Sequence, residues 1–103
     1  MNPSVFQKEL NNVLAQVIDQ RHKHEIGLPG PGTMEELSFI IDELTLVAEE
    51  LKAGKIKPLD QRWLSSARIV TDSWSLDEDL GDEICRLDYL YRHELLDFDS
   101  EIE

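Results

Sequence analysis

The chain has 103 residues, and its 22 Asp and Glu against 10 Lys and Arg give a formal net charge of −12. A length near 100 residues is that of one domain with a single core. A charge of this size repels nucleic acids and anionic membranes, so it excludes general affinity for either and favours encounter with a basic protein surface.

The negative charge is concentrated towards the end of the chain. Residues 72–103 carry twelve Asp and Glu with only Arg86 and Arg92, whereas residues 1–71 carry ten acids and eight bases. We therefore expect an acidic surface on the last structural element.

The first predicted element is an amphipathic helix from about Pro3 to Glu25, with proline in its first turn. Residues 27–32 (GLPGPG) cannot continue it, because proline lacks an amide donor and glycine is unfavourable in a helix. The helical stripe repeats at three- and four-residue steps: Val5, Phe6, Leu10, Val13, Leu14, Val17 and Ile18.

A second helix is predicted over residues 33–53, where Thr33 and Glu36 form a capping box. Phe39 and Leu46 lie nearly opposite its apolar stripe, and acids flank them at the same seven-residue interval. An apolar seam beside charged rows is typical of an interaction surface, although two isolated apolar residues can also be exposed without a role. The stripe is Leu37, Ile40, Ile41, Leu44, Val47, Ala48 and Leu51, and the acid rows are Glu35, Asp42, Glu49 and Glu36, Glu43, Glu50.

Two further helices are predicted over residues 59–74 and 76–97, followed by an acidic tail at 98–103. The third would bury Trp63 and Trp74, and a second capping box, Ser75 with Glu78, would begin the fourth. Four helices with short connectors predict an all-α, antiparallel up-down four-helix bundle as a single domain over residues 1–103. The third stripe is Leu59, Trp63, Ala67, Val70 and Trp74, and the inward row of the fourth helix is Leu80, Ile84, Leu87, Tyr91 and Leu95.

The outward face of the fourth helix is a second candidate surface. It carries Tyr89, His93 and Leu96, with Glu78 and Asp82 one or two turns earlier. Carboxylates would attract a basic partner, and Tyr89 would supply contact area at little cost in rotamer entropy. The alternative is that Tyr89 packs against the acidic tail.

No motif for catalysis, a cofactor or a metal site stands out. His22 and His24 point in different directions on a helix, and His93 has no catalytic partner at a recognisable spacing. Cys85 is the only cysteine, which suits a reducing compartment. With no apolar stretch long enough to span a bilayer, we expect a cytoplasmic, non-catalytic protein without a membrane partner.

Two resemblances frame the functional hypotheses. Asp79-Leu80-Gly81-Asp82 resembles half of the magnesium-binding pattern of helical nucleotide pyrophosphohydrolases, but Phe39 and Ala53 stand where the other half requires Glu. In architecture and charge the chain resembles the immunity proteins of nuclease bacteriocins, without their paired-tyrosine motif.

We predict a module that binds a basic protein, as an inhibitor, immunity or antitoxin-like protein or nucleic-acid mimic. The alternatives are a magnesium-dependent pyrophosphohydrolase or a homo-oligomer formed through the second helix.

Overall fold

The computed structural model describes residues 1–75 and 77–96, which form four α-helices and contain no strand. They are α1 (Pro3–Glu25), α2 (Met34–Lys52), α3 (Ser65–Ser73) and α4 (Asp79–Tyr89). A single 3₁₀ turn, Leu59–Gln61, precedes α3, and a π-helical turn, Leu90–Glu94, follows α4. The predicted all-α four-helix bundle is confirmed.

Helices that follow one another in sequence are neighbours in the bundle. α1 packs against α2 and α4, and α3 packs against the same two helices. α2 and α4 therefore occupy opposite corners. The innermost side chains, all fully buried, are Phe6, Leu10, Val17, Leu37, Ile40, Leu44, Ile84 and Leu87.

The first two helices begin and end close to where the sequence predicts. Asn2 caps α1, and its side chain accepts a hydrogen bond from the Val5 amide at 2.9 Å. The predicted capping box of α2 is present, with Thr33 and Glu36 exchanging bonds of 3.0 and 3.1 Å. Val5 and Ile18, however, are each 46% exposed. Their assignment to the α1 stripe is wrong because they lie about 100° from its centre.

The prediction of a helix over residues 59–74 is wrong in its first half, and so is the burial of Trp63. Leu59 is 67% exposed and Trp63 is 55% exposed, whereas Trp74 is buried as predicted. The cause is Arg62, a buried side chain that donates from Nε to the Lys57 carbonyl at 2.7 Å and from Nη1 to the Leu95 carbonyl at 2.9 Å. These bonds hold the backbone around residue 62 out of a helix, so α3 begins only at Ser65.

The fourth helix also differs from its prediction. It begins at Asp79, and the capping box of Ser75 with Glu78 is wrong, because the Ser75 hydroxyl donates to the Asp77 carboxylate and Glu78 makes no side-chain cap. The predicted inward row is confirmed, since all five of its members are buried. Position 76, position 97 and the predicted tail at 98–103 lie outside the described residues.

Hydrogen bonds join the residues that follow α4 to the first residue of the chain. The Leu95 amide donates to the Leu90 carbonyl at 2.8 Å, which closes the π turn. The Met1 ammonium donates to the Glu94 carbonyl at 2.7 Å, and the Leu96 amide donates to the Met1 carbonyl at 2.8 Å. Tyr91 is thereby held in the core, where its ring stacks on Phe6 at a centroid distance of 5.6 Å. None of the helices in the described part of the chain is long and apolar enough to cross a membrane.

Candidate interaction surface

The outward face of α2 exposes two large apolar side chains. Phe39 is 46% exposed and Leu46 is 55% exposed. Beside them runs a row of exposed carboxylates that make no hydrogen bond or ion pair with any residue in 1–75 or 77–96: Glu35, Asp42 and Glu49. This face combines apolar contact area with negative charge that the described part of the fold does not neutralise.

The other acid row of α2 stabilises the fold. Glu36 belongs to the capping box, and Glu50 pairs with the Lys57 ammonium at 2.9 Å. Glu43 accepts from the Ser65 amide at 2.9 Å, and from the amide and hydroxyl of Ser66 at 2.8 and 2.6 Å. The sequence predicted both rows as flanks of one seam, but the second row is engaged in intramolecular contacts.

Those contacts explain why α3 can begin without a capping side chain of its own. Its N-cap residue is Leu64, which has no side-chain acceptor. The Leu64 amide donates to Asp88 of α4 at 2.7 Å, and the amides of Ser65 and Ser66 donate to Glu43 of α2. The first amides of a helix otherwise lack partners, and negative charge there interacts favourably with the helix dipole. Two carboxylates of the acidic excess are therefore structural.

The residues of the predicted α4 surface differ in exposure. Tyr89 is 56% exposed, and its ring contacts that of His93 with centroids 4.8 Å apart and a 44° tilt. Leu96 and Asp82 are exposed, and Glu78 is half-buried. Because α2 and α4 lie at opposite corners of the bundle, Tyr89 lies on a different helix face from Phe39 and Leu46.

Trp63 is an exposed side chain that the apolar period of residues 59–74 wrongly assigns to the core. It lines a groove of about 500 Å³ between α3 and α4, and a smaller hollow of about 290 Å³ that it shares with Glu43. Glu43 is one turn from both Phe39 and Leu46 along α2, so the hollow adjoins the outward face of that helix. Pro58 and the polar run at residues 60–62 were the signals that could have indicated a break before Trp63.

His24 contacts the connector between α1 and α2, and Cys85 is a half-buried free thiol on α4. Both ring nitrogens of His24 lie 3.2 Å from carbonyl oxygens of the connector, those of Leu28 and Pro31. Partial burial raises the pKa of the Cys85 thiol, and the nearby carboxylates of α4 raise it further. No three His, Cys, Asp or Glu side chains among the described residues come together in a way that could hold a metal.

Comparison with protein-family models, with curated proteins and with solved structures finds no match to this chain.

Proposed function

We propose that this protein is a non-catalytic module that binds a basic protein partner through the outward face of α2. The observation that carries the proposal is the pairing of exposed Phe39 and Leu46 with the unneutralised row of Glu35, Asp42 and Glu49. Apolar side chains that lose water on binding determine how long a complex lasts, whereas surrounding charge speeds the encounter. Both properties are present on one helix face.

The net charge supports a basic partner. At −12, the chain attracts cationic surfaces over a distance of about one Debye length, roughly 8 Å at physiological salt. An inhibitor, an immunity protein, an antitoxin or a nucleic-acid mimic would each use such a surface, and the partner's own activity would distinguish these roles. We place the interaction in the cytoplasm, where the thiol of Cys85 would stay reduced. The α4 face around Tyr89 is a second, separate surface within the proposal.

Affinity capture at two salt concentrations tests the proposed function. The immobilised protein is exposed to cell extract at about 50 mM and about 500 mM salt, a range over which screening of surface charge changes strongly. We expect a captured protein of high isoelectric point that is lost at the higher salt. Capture only of neutral or acidic proteins, or retention that does not change with salt, would contradict the proposal.

A further inference from the structure

The outward face of α2 has the periodicity of a helix-binding seam. Its outermost positions alternate at four- and three-residue steps, which is the spacing with which one helix meets another along its length. Acids occupy one set of positions and apolar residues the other, over about 27 Å from position 35 to position 53, the C-cap of α2. The acidic set is Glu35, Asp42 and Glu49, and the apolar set is Phe39, Leu46 and Ala53.

Trp63 extends this seam sideways, toward α3. The hollow is lined by Trp63, Gln61, Lys57 and Glu43; Lys57 is paired with Glu50, and Glu43 lies between Phe39 and Leu46 along the axis of α2. Tryptophan is among the residues that most often dominate the energy of an interface. A ligand lying along α2 can therefore also contact Trp63, an aromatic anchor just before the N-cap of α3.

The charge on the seam discriminates between possible occupants. A second copy of this chain would bring Glu35, Asp42 and Glu49 against the same acids, and each copy carries a net charge of −12. Like charges placed opposite one another across an interface are unfavourable, whereas Lys and Arg at those positions would be attracted.

We infer that the partner presents a basic amphipathic helix, which lies along α2 and covers Trp63. This inference rests on the proposed function and specifies which structural element of the partner occupies the outward face of α2. Apolar residues of the partner helix pack on Phe39, Leu46 and Trp63, and its Lys and Arg side chains lie opposite the acidic set.

Two synthetic peptides of identical composition test the inference. One is a helix of three heptads with leucines aligned on one face and arginines beside them, and the other has the same residues in an order that scatters the leucines. Calorimetric titration at low salt measures the affinity of both. We expect the aligned peptide to bind at least about tenfold more tightly, since one lost anchor typically corresponds to that factor.

Paired variants locate the binding surface. Phe39→Ala with Leu46→Ala, and separately Trp63→Ala, should each weaken the aligned peptide by about tenfold or more. The matched control on α1, Val5→Ala, should change the affinity by less than about twofold, since Val5 is as exposed as Phe39 but lies on neither proposed surface. All of these side chains are exposed, and circular dichroism verifies that each variant is folded.

The outcomes separate the inference from the proposed function. Equal binding of the two peptides, or an equal loss of affinity in the Val5→Ala control, would overturn the helix on α2 while leaving a basic partner in place. If neither peptide binds at low salt, the helix on α2 is wrong, and the proposed function is then decided by the salt-dependent capture of a basic protein.

Discussion

Glu43 lies on α2 but caps α3, which begins more than twenty residues later in the chain. Replacing Glu43 should therefore destabilise α3. Its carboxylate accepts from the amides of Ser65 and Ser66 and from the Ser66 hydroxyl. Loss of one capping acceptor costs about 0.5–2 kcal/mol, and an unsatisfied buried polar group about 1–3 kcal/mol. Because Ser66 is fully buried, we expect Glu43→Ala to lower the free energy of unfolding by about 2–4 kcal/mol.

The assay is urea unfolding followed by circular dichroism at the helical band, with thermal unfolding alongside. For a chain of this length the expected loss corresponds to a decrease in Tm of roughly 10–25 °C. Glu43→Gln retains one carbonyl acceptor and should lose about half as much. Asp42→Ala is the matched control, since Asp42 is exposed and should change stability by less than about 0.5 kcal/mol. Equal unfolding midpoints for the two alanine variants would refute the capping role.

Three further predictions concern the core and the connector. Burial is the main cause that raises the pKa of Tyr91 to about 12, so the folded state favours the neutral phenol. The resulting contribution of about 2–3 kcal/mol to the free energy of unfolding is intact below pH 10. It is lost as pH rises towards 12 and beyond. Absorbance titration at 295 nm, with the other tyrosine changed to phenylalanine, should show this late step, and a midpoint near pH 10 in the folded protein would contradict it. Because the pKa of Cys85 is raised, its alkylation by iodoacetamide at pH 8 should be slower than that of a free thiol, and should equal it in urea; equal rates without urea would contradict this. A Cβ on Gly32, at φ +79°, would lie 2.7 Å from the Trp74 ring, so Gly32→Ala should lower the free energy of unfolding by about 2–4 kcal/mol. Gly27 has a similar φ of +82° but lies in open space, so Gly27→Ala should cost only about 1–2 kcal/mol. Equal losses of stability in the two variants would refute the contact with Trp74.

The parts of the fold that the sequence predicts well are those set by local rules. Helical periodicity and capping residues determine α1 and α2, and the inward row of α4 follows from the same 3.6-residue period. The bounds of α1 and the capping box at Thr33 are present in the structure as predicted.

The errors arise where distant residues decide the local structure. Arg62 holds its segment by bonds to Lys57 and Leu95, and α3 takes its caps from α2 and α4. Neither contact can be read from spacing alone, so the apolar period around Trp63 was mistaken for a helix. The same long-range contacts divide the acids of α2 into a structural row and an exposed row, a distinction that their identical seven-residue spacing conceals.

Site-specific photocrosslinking tests the central claim, that the outward face of α2 binds a basic partner, most directly. A photoreactive amino acid is placed at position 46 on α2 and, as the control, at position 18 on α1, where Ile18 is similarly exposed. We predict that position 46 crosslinks to a protein of high isoelectric point, that the yield falls at high salt, and that position 18 gives no such product. Crosslinking of the same partner from both positions, or from position 18 alone, would contradict the account.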